Sequence, residues 1–222
     1  MSIASVSQLI FKKVADLHLN KEPIVVAVSK FHSKESIESA YYCGFRHFGE
    51  SYVQEAIDKQ TQLKQLEDVI WHFIGPIQSN KTRQIAENFD WVQSVDRVKL
   101  LQRLNAQRPT VKGKLNVLLQ VNISGESTKS GVNKDELEPL IQASMLCENL
   151  QVRGLMCIPS QQMSKTEMNE FAQMRQLYEQ FSKRFPTWDT LSMGMSDDYL
   201  QALHQGSTMI RIGSILFGER NR

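Results

Sequence analysis

Eight short apolar runs, each followed by sequence of helical periodicity, recur along this 222-residue chain, and that alternation constrains its fold more than any other feature. Ile24-Val25-Val26-Ala27-Val28-Ser29 is the first: brief, β-branched and apolar at successive positions, as suits a strand covered on both faces in a parallel sheet. The others are Arg46 to Phe48, Trp71 to Ile74, Trp91 to Ser94, Leu115 to Val121, Val152 to Cys157, Thr190 to Met193 and Thr208 to Ile212. Helical stretches fill the intervals. Ser33 is placed as an N-cap for a helix closing at Gly44, and further helices are predicted over 52–65, 80–88 and 97–107. Asn133 with Glu136, and Ser164 with Glu167, are spaced as capping boxes, while Ser196 is placed to cap a short helix reaching Gln205. Ahead of the series, Val6, Leu9, Ile10, Val14 and Leu17 predict an amphipathic helix over 5–19, stopped by Asn20 and Pro23.

Strand and helix in strict alternation imply a parallel sheet. Eight such units close most economically as an α/β (β/α)8 TIM barrel, at about 25 residues per unit, near the lower bound for that architecture. A doubly wound open sheet is the alternative. No linker, internal repeat or low-complexity run breaks the series, so residues 1–222 read as one domain with a helix in front of it.

Composition excludes several classes of function. The 26 basic and 24 acidic residues leave a formal net charge of +2, which provides no basic face for nucleic acid. Cys43, Cys147 and Cys157 form no C-x-x-C, so unpaired thiols in a reducing compartment are expected. No segment approaches the roughly 18 apolar residues of a membrane span, and no secretory leader pattern opens the chain. A soluble cytoplasmic protein, with no membrane partner, is the expectation. The five histidines include no i, i+4 pair, so no zinc site is indicated, and His72 reads as a residue of the barrel core. Lys129-Ser130 lacks the G-x-x-x-x-G-K-[ST] order of a phosphate-binding P-loop and reads as part of a loop.

In a barrel of this type the functional face is fixed in advance, because active sites lie at the C-terminal ends of the strands. Lys30 is the one cation standing directly on a predicted strand end there. An amine projecting from an apolar wall has a lowered pKa and becomes a nucleophile able to form imines, although a solvated loop lysine is the plainer reading. Barrels that bind phosphate commonly use the loops after the seventh and eighth strands. Gly194 and Gly213 let backbone approach closely in those two loops, and Ser196 and Ser214 offer hydroxyls. Asp197 and Asp198 would repel an anion, which places it nearer Gly213 and Ser214. Arg211 alternates with Ile210 and Ile212 and therefore faces the barrel interior, where it needs either a ligand or an acid such as Glu50 or Glu219. An imine-forming lysine, a phosphate pocket and an inward arginine suit a ligand that is both an aldehyde and a phosphate ester. Pyridoxal 5′-phosphate is such a molecule.

At these residues the sequence resembles the pyridoxal-phosphate homeostasis protein family, whose single barrel domain is related to alanine racemase. The resemblance runs from the first strand to the C-terminus. It is carried by Ala27-Val28-Ser29-Lys30, Phe48-Gly49-Glu50, Tyr52-Val53-Gln54-Glu55, the run from Trp71 to Lys81, Lys129-Ser130-Gly131, Arg153-Gly154-Leu155-Met156, Leu191-Ser192-Met193-Gly194-Met195-Ser196-Asp197 and Met209-Ile210-Arg211-Ile212-Gly213. The resemblance implies that Lys30 holds the cofactor as an aldimine, that Arg211 faces the pyridine nitrogen, and that Ser196, Gly213 and Ser214 help hold the phosphate. The cofactor-binding set is then Lys30, Ser192, Gly194, Met195, Ser196, Arg211, Gly213 and Ser214. The chain departs from the family pattern at Ser51, where Asn is usual, and at Phe31-His32-Ser33, where a Lys-Pro-like stretch is usual.

The function implied is intracellular homeostasis of pyridoxal phosphate: a monomeric carrier or buffer that holds the cofactor on Lys30 and hands it transiently to apoenzymes. A racemase-like enzyme is the alternative, but racemization needs a second base on the opposite face of the substrate, and the strand ends offer no obvious one, with Tyr52 as the remaining candidate. A barrel aldolase acting on sugar phosphates through the same lysine is a third reading. One helix and eight units consume all 222 residues. That leaves none for the C-terminal β domain which, by the resemblance, supplies the opposing tyrosine in dimeric alanine racemases.

Overall fold

A computed structural model of the chain describes residues 2–126, 128–160 and 170–218. Eight strands form it: β1 (Ile24–Val28), β2 (His47–Glu50), β3 (Ile70–Phe73), β4 (Trp91–Val95), β5 (Leu115–Gln120), β6 (Leu150–Met156), β7 (Thr190–Met195) and β8 (Met209–Ile212). They pair in sequence order and close as a parallel barrel, with Ile24 of β1 opposite Met209 of β8 at the seam. Each strand matches one of the apolar runs in the sequence. The (β/α)8 expectation holds, and the open-sheet alternative does not.

The helices are α1 (Ile3–Ala15), α2 (Lys34–Tyr42), α3 (Val53–Gln62), α4 (Thr82–Asn88), α5 (Val98–Gln107), α6 (Leu137–Ser144), α7 (Glu170–Ser182), α8 (Tyr199–His204) and α9 (Ser214–Phe217). Three boundaries differ from expectation for identifiable reasons. The first helix ends at Ala15 rather than at residue 19, because His18 adopts a left-handed φ of 49°; Leu17 and Leu19 still pack on the core, but from a turn. It also begins earlier, since Ser2 accepts the Ser5 N–H at 3.2 Å as its cap. Asn133 and Glu136 bond to each other's side chains at 3.2 Å instead of capping, and a 3₁₀ turn over Lys134–Glu136 leads into α6. Ser164 and Glu167 lie outside the described residues.

Alternation along each strand sorts side chains into two populations. Outward residues such as Ala27, Phe48, Phe73 and Val92 join the large core beneath the helices, while Val26, Trp91, Leu118, Met156 and Met209 form a separate apolar cluster inside the barrel. β6 bulges against β5, with Val152 opposite Val117 but Gly154 opposite Leu118. Gly154 has φ +142°, and a Cβ there would lie 1.9 Å from the Thr190 carbonyl oxygen. Gly154→Ala is therefore expected to cost at least about 3 kcal/mol, combining backbone strain with overpacking. A urea midpoint close to that of wild type would contradict this account of the bulge.

Two histidines sit inside the barrel. His72 is fully buried and stacks on Trp91, with ring centroids 5.4 Å apart, and His47 at the N-terminal end of β2 is half-buried. Burial pushes the His47 pKa from 6.5 down to about 4, and pushes that of His72 well down, His47 beside it adding to the effect. The unfolded chain would protonate both below about 6.5, where the folded barrel does not. Folding stability is thus fully present above that value and falls as pH drops toward about 4. Denaturant midpoints measured between pH 7 and pH 5 should decline, and His47→Phe should flatten the decline.

All three cysteines are free, with Cys147 and Cys157 buried. Among the described residues no helix is long and apolar enough to cross a membrane.

Candidate functional site

The C-terminal ends of the strands open into a cavity of about 230 Å³. Six of the residues singled out from the sequence line it: Lys30, Met195, Ser196, Arg211, Gly213 and Ser214. Apolar walls come from Val28, Ile74 and Ile158, and Ser51 and Asp197 add polar groups. Three distant segments of the chain thus meet on one wall because β8 closes against β1, which brings Gly213 beside Val28.

The turn that carries Lys30 is anchored on both sides. Behind it, the Ser29 carbonyl accepts from Lys59 Nζ at 2.8 Å, and Ser29 Oγ donates to Glu50 Oε1 at 2.7 Å. Ahead of it, the Phe31 N–H donates to Glu55 Oε1 at 2.6 Å. Lys59 ties the acids together, donating to Glu50 at 2.8 Å and to Glu55 at 2.6 Å. Phe31 itself has φ 65°, an unfavourable conformation for a bulky residue, held by that bond and by its ring packing on Tyr52 at 5.0 Å. Strain of this kind beside a cavity lysine marks a turn whose shape is imposed by its surroundings.

Glu50 is fully buried, and among the described residues its Oε2 has no hydrogen-bond partner. Burial pushes its pKa up, with Lys59 pulling in the opposite direction. Sequence reasoning missed this network. Glu55 and Lys59 look like an ordinary surface i, i+4 pair; the available signal was that Val53, Ala56 and Lys59 share one buried stripe of α3.

Arg211 is 4% exposed and faces inward, as its alternation with Ile210 and Ile212 implied. It donates to Ser192 Oγ and, at 2.9 Å, to the Cys157 carbonyl. Among the described residues no carboxylate forms an ion pair with it: Glu50 is engaged by Lys59, and Glu219 lies outside the described residues. Burial lowers the guanidinium pKa, yet an arginine remains protonated across the range in which proteins fold. The cavity floor therefore carries a positive charge satisfied by neutral oxygens.

Ser196 does not cap α8. Asp198 occupies that position and its Oδ1 accepts the Met195 N–H at 2.6 Å, while Ser196 Oγ accepts the N–H groups of Gly213 at 3.1 Å and Ile215 at 3.3 Å. Two backbone donors thus converge on one oxygen at the cavity wall. Ser192 lies below the cavity, beneath Arg211. Gly194 is absent from the cavity wall: its φ is +95°, and a Cβ there would meet the Ala202 Cβ at 2.5 Å, so it serves the close packing of α8 on β7. Lys129 pairs with Glu126 at 3.0 Å in its loop.

A closed barrel with a lysine at the end of the first strand and paired backbone donors after the last belongs to the class defined by the alanine racemase N-terminal domain, whose family model matches residues 11–221. A pyridoxal phosphate homeostasis protein of Haemophilus influenzae is 49% identical over 201 residues, spanning 89% of this chain and 85% of that protein. PipY of Synechococcus elongatus, solved without PLP, superposes with a TM-score of 0.84 at 37% identity, covering 93% of this chain and 99% of PipY. The PLP-bound form of PipY gives 0.81 at 35% identity over 96% of this chain and all 100% of that one. The chain belongs to the pyridoxal phosphate homeostasis protein family.

Proposed function

We propose that this protein binds pyridoxal 5′-phosphate at Lys30 and serves as an intracellular carrier or buffer of that cofactor, rather than as an enzyme acting on amino acids. The observation that carries the reading is the convergence on one cavity of a lysine, an arginine with no acidic partner among the described residues and two backbone donors aimed at a single oxygen. PLP bound in PipY and the names of the curated relatives support it.

The residues present fit the cofactor. The N–H groups of Gly213 and Ile215, which now share Ser196 Oγ, are directed as a phosphate oxygen requires, and Ser214 adds a hydroxyl. A Cβ added at Gly213 would rest in ordinary contact with Val28, 3.4 Å from its Cβ, so the backbone there lies close against the wall of β1. Pyridoxal phosphate supplies an aldehyde that condenses reversibly with a primary amine and a ring that withdraws electrons when its nitrogen is protonated. Lys30 would provide the amine, and the apolar side chains of Val28, Ile74 and Ile158 would keep water from the bound group.

Arg211 has five N–H donors and no lone pair, so it would donate to a ring nitrogen without protonating it. Strong electron withdrawal by such a ring would need a proton on its nitrogen, which an arginine does not give up. Tyr52, the candidate opposing base, is 52% exposed, packs on Phe31 and is not on the cavity wall. These features favour retention over turnover. Apoenzymes that require the cofactor are the recipients in this reading, and the chain acts as a monomer.

The test is a titration of purified protein with pyridoxal phosphate, followed by absorbance. A saturable visible band is expected, together with exchange of α-deuterium from labelled amino acids no faster than that of free cofactor. Enzyme-like loss of deuterium would sink the carrier reading, and absence of any band would sink cofactor binding.

A further inference from the structure

Barrel interiors of this type are usually filled by branched apolar side chains. Here an unbroken line of polar groups crosses the interior from the cavity to the opposite end. Arg211 donates to Ser192 Oγ, Ser192 Oγ lies 2.7 Å from Gln93 Oε1, Gln93 Nε2 lies 3.0 Å from His72 Nδ1, and His72 Nε2 lies 2.8 Å from His47 Nδ1. Ser192, Gln93 and His72 are all 0% exposed. Buried polar groups are costly unless every member of the set is satisfied, and here every neighbouring pair lies at hydrogen-bond distance.

The line also has a direction, and Arg211 sets it. A guanidinium cannot accept, so the Ser192 oxygen accepts from it and sends its own proton to Gln93 Oε1. The Gln93 amide then presents Nε2 to His72 Nδ1 and to Met209 Sδ at 3.2 Å. An incoming donor requires a bare Nδ1 on His72, which puts the His72 proton on Nε2 and leaves His47 Nδ1 as the acceptor. Flipping Gln93 would set its oxygen against the Met209 sulfur and turn its amide donor onto Ser192. The serine proton would then have no acceptor along the line. A carboxylate in place of Ser192 would satisfy the same guanidinium but cancel its charge. The neutral line leaves the positive charge facing the cavity.

We propose that Gln93, His72 and His47 are positioning residues for the cofactor ring, a relay of fixed hydrogen-bond polarity that holds Arg211 in place through Ser192 from the far end of the barrel. The inference rests on the reading that pyridoxal phosphate binds above Arg211.

Gln93→Met keeps the volume and breaks the relay at its centre. In the full chain it is expected to weaken retention of pyridoxal phosphate about tenfold, roughly the worth of one charge-assisted hydrogen bond. It should also shift the absorbance maximum while borohydride still fixes the cofactor to Lys30. A folded Gln93→Met protein that matches wild type in both affinity and spectrum would overturn the relay's role. Nitrogen-15 spectra of the imidazoles in cofactor-free wild-type protein test the polarity without any variant. A bare Nδ1 on both His72 and His47 is expected, and a proton on His72 Nδ1 would overturn it. Failure of wild type to take up pyridoxal phosphate, with the expected tautomers present, would instead count against the binding reading.

Discussion

Lys30→Ala is expected to hold no pyridoxal phosphate that borohydride can fix, and to retain the cofactor at least about a hundredfold less tightly than wild type, a loss of roughly 3 kcal/mol or more. The fold should survive the change. The turn at residues 29–31 is held by the Ser29 carbonyl, the Ser29 hydroxyl and the Phe31 N–H, none of which belongs to the Lys30 side chain. A thermal midpoint within a few degrees of wild type is expected, as for substitutions that leave the core intact. Weak residual binding through the Gly213 and Ile215 N–H groups, competed by inorganic phosphate, would separate the anion-binding part of the site from the amine. Wild-type retention by Lys30→Ala would refute the assignment of the lysine.

The second large effect lies beneath the site. Lys59→Met removes the cation that Glu50 and Glu55 share and strips the Ser29 carbonyl of a donor, inside a region where Glu50 is fully buried. Breaking a buried pair by removing one partner costs about 3–5 kcal/mol, which for a chain of this size lowers the melting temperature by roughly 10 °C. Glu50, already pushed up by burial, can respond by taking a proton, so the deficit should be largest at high pH and shrink as pH falls. Glu50→Gln placed on the Lys59→Met background should recover part of the stability, because it removes the orphaned charge. Cofactor retention should fall alongside stability, since the Ser29 carbonyl loses its anchor and Glu55, which holds the Phe31 N–H, loses its cation. A melting temperature unchanged by Lys59→Met would show that the network neither supports the barrel nor sets the turn.

All eight strands were legible in the sequence because a parallel strand covered on both faces leaves a continuous apolar, β-branched run between turn residues, and Ile24–Val28 and Leu115–Gln120 are such runs. That Lys30, Arg211 and Gly213 share one cavity followed from strand ends, alternation and the place of the last two loops. What escaped depends on contacts between segments far apart in sequence. Ser196 sits in the right place to cap a helix, but its hydroxyl is claimed by the backbone of Gly213 and Ile215 across the seventh and eighth loops. Gly194 suggested close approach to a ligand, whereas the close approach is to Ala202. Leu17 continued the periodicity of α1 from within a turn, because packing on the core is all that the spacing records. His47 and His72 are neighbours only through the register that sets Gly49 opposite His72 across β2 and β3, and no sequence spacing reveals it.

Borohydride reduction of the cofactor-loaded wild-type protein, followed by identification of the modified peptide, tests whether Lys30 is the residue that holds pyridoxal phosphate. One stoichiometric pyridoxyl group is expected, carried by the peptide that contains Ser29-Lys30-Phe31. Modification spread over Lys59, Lys81 or Lys129, or found at any of them in place of Lys30, would contradict it.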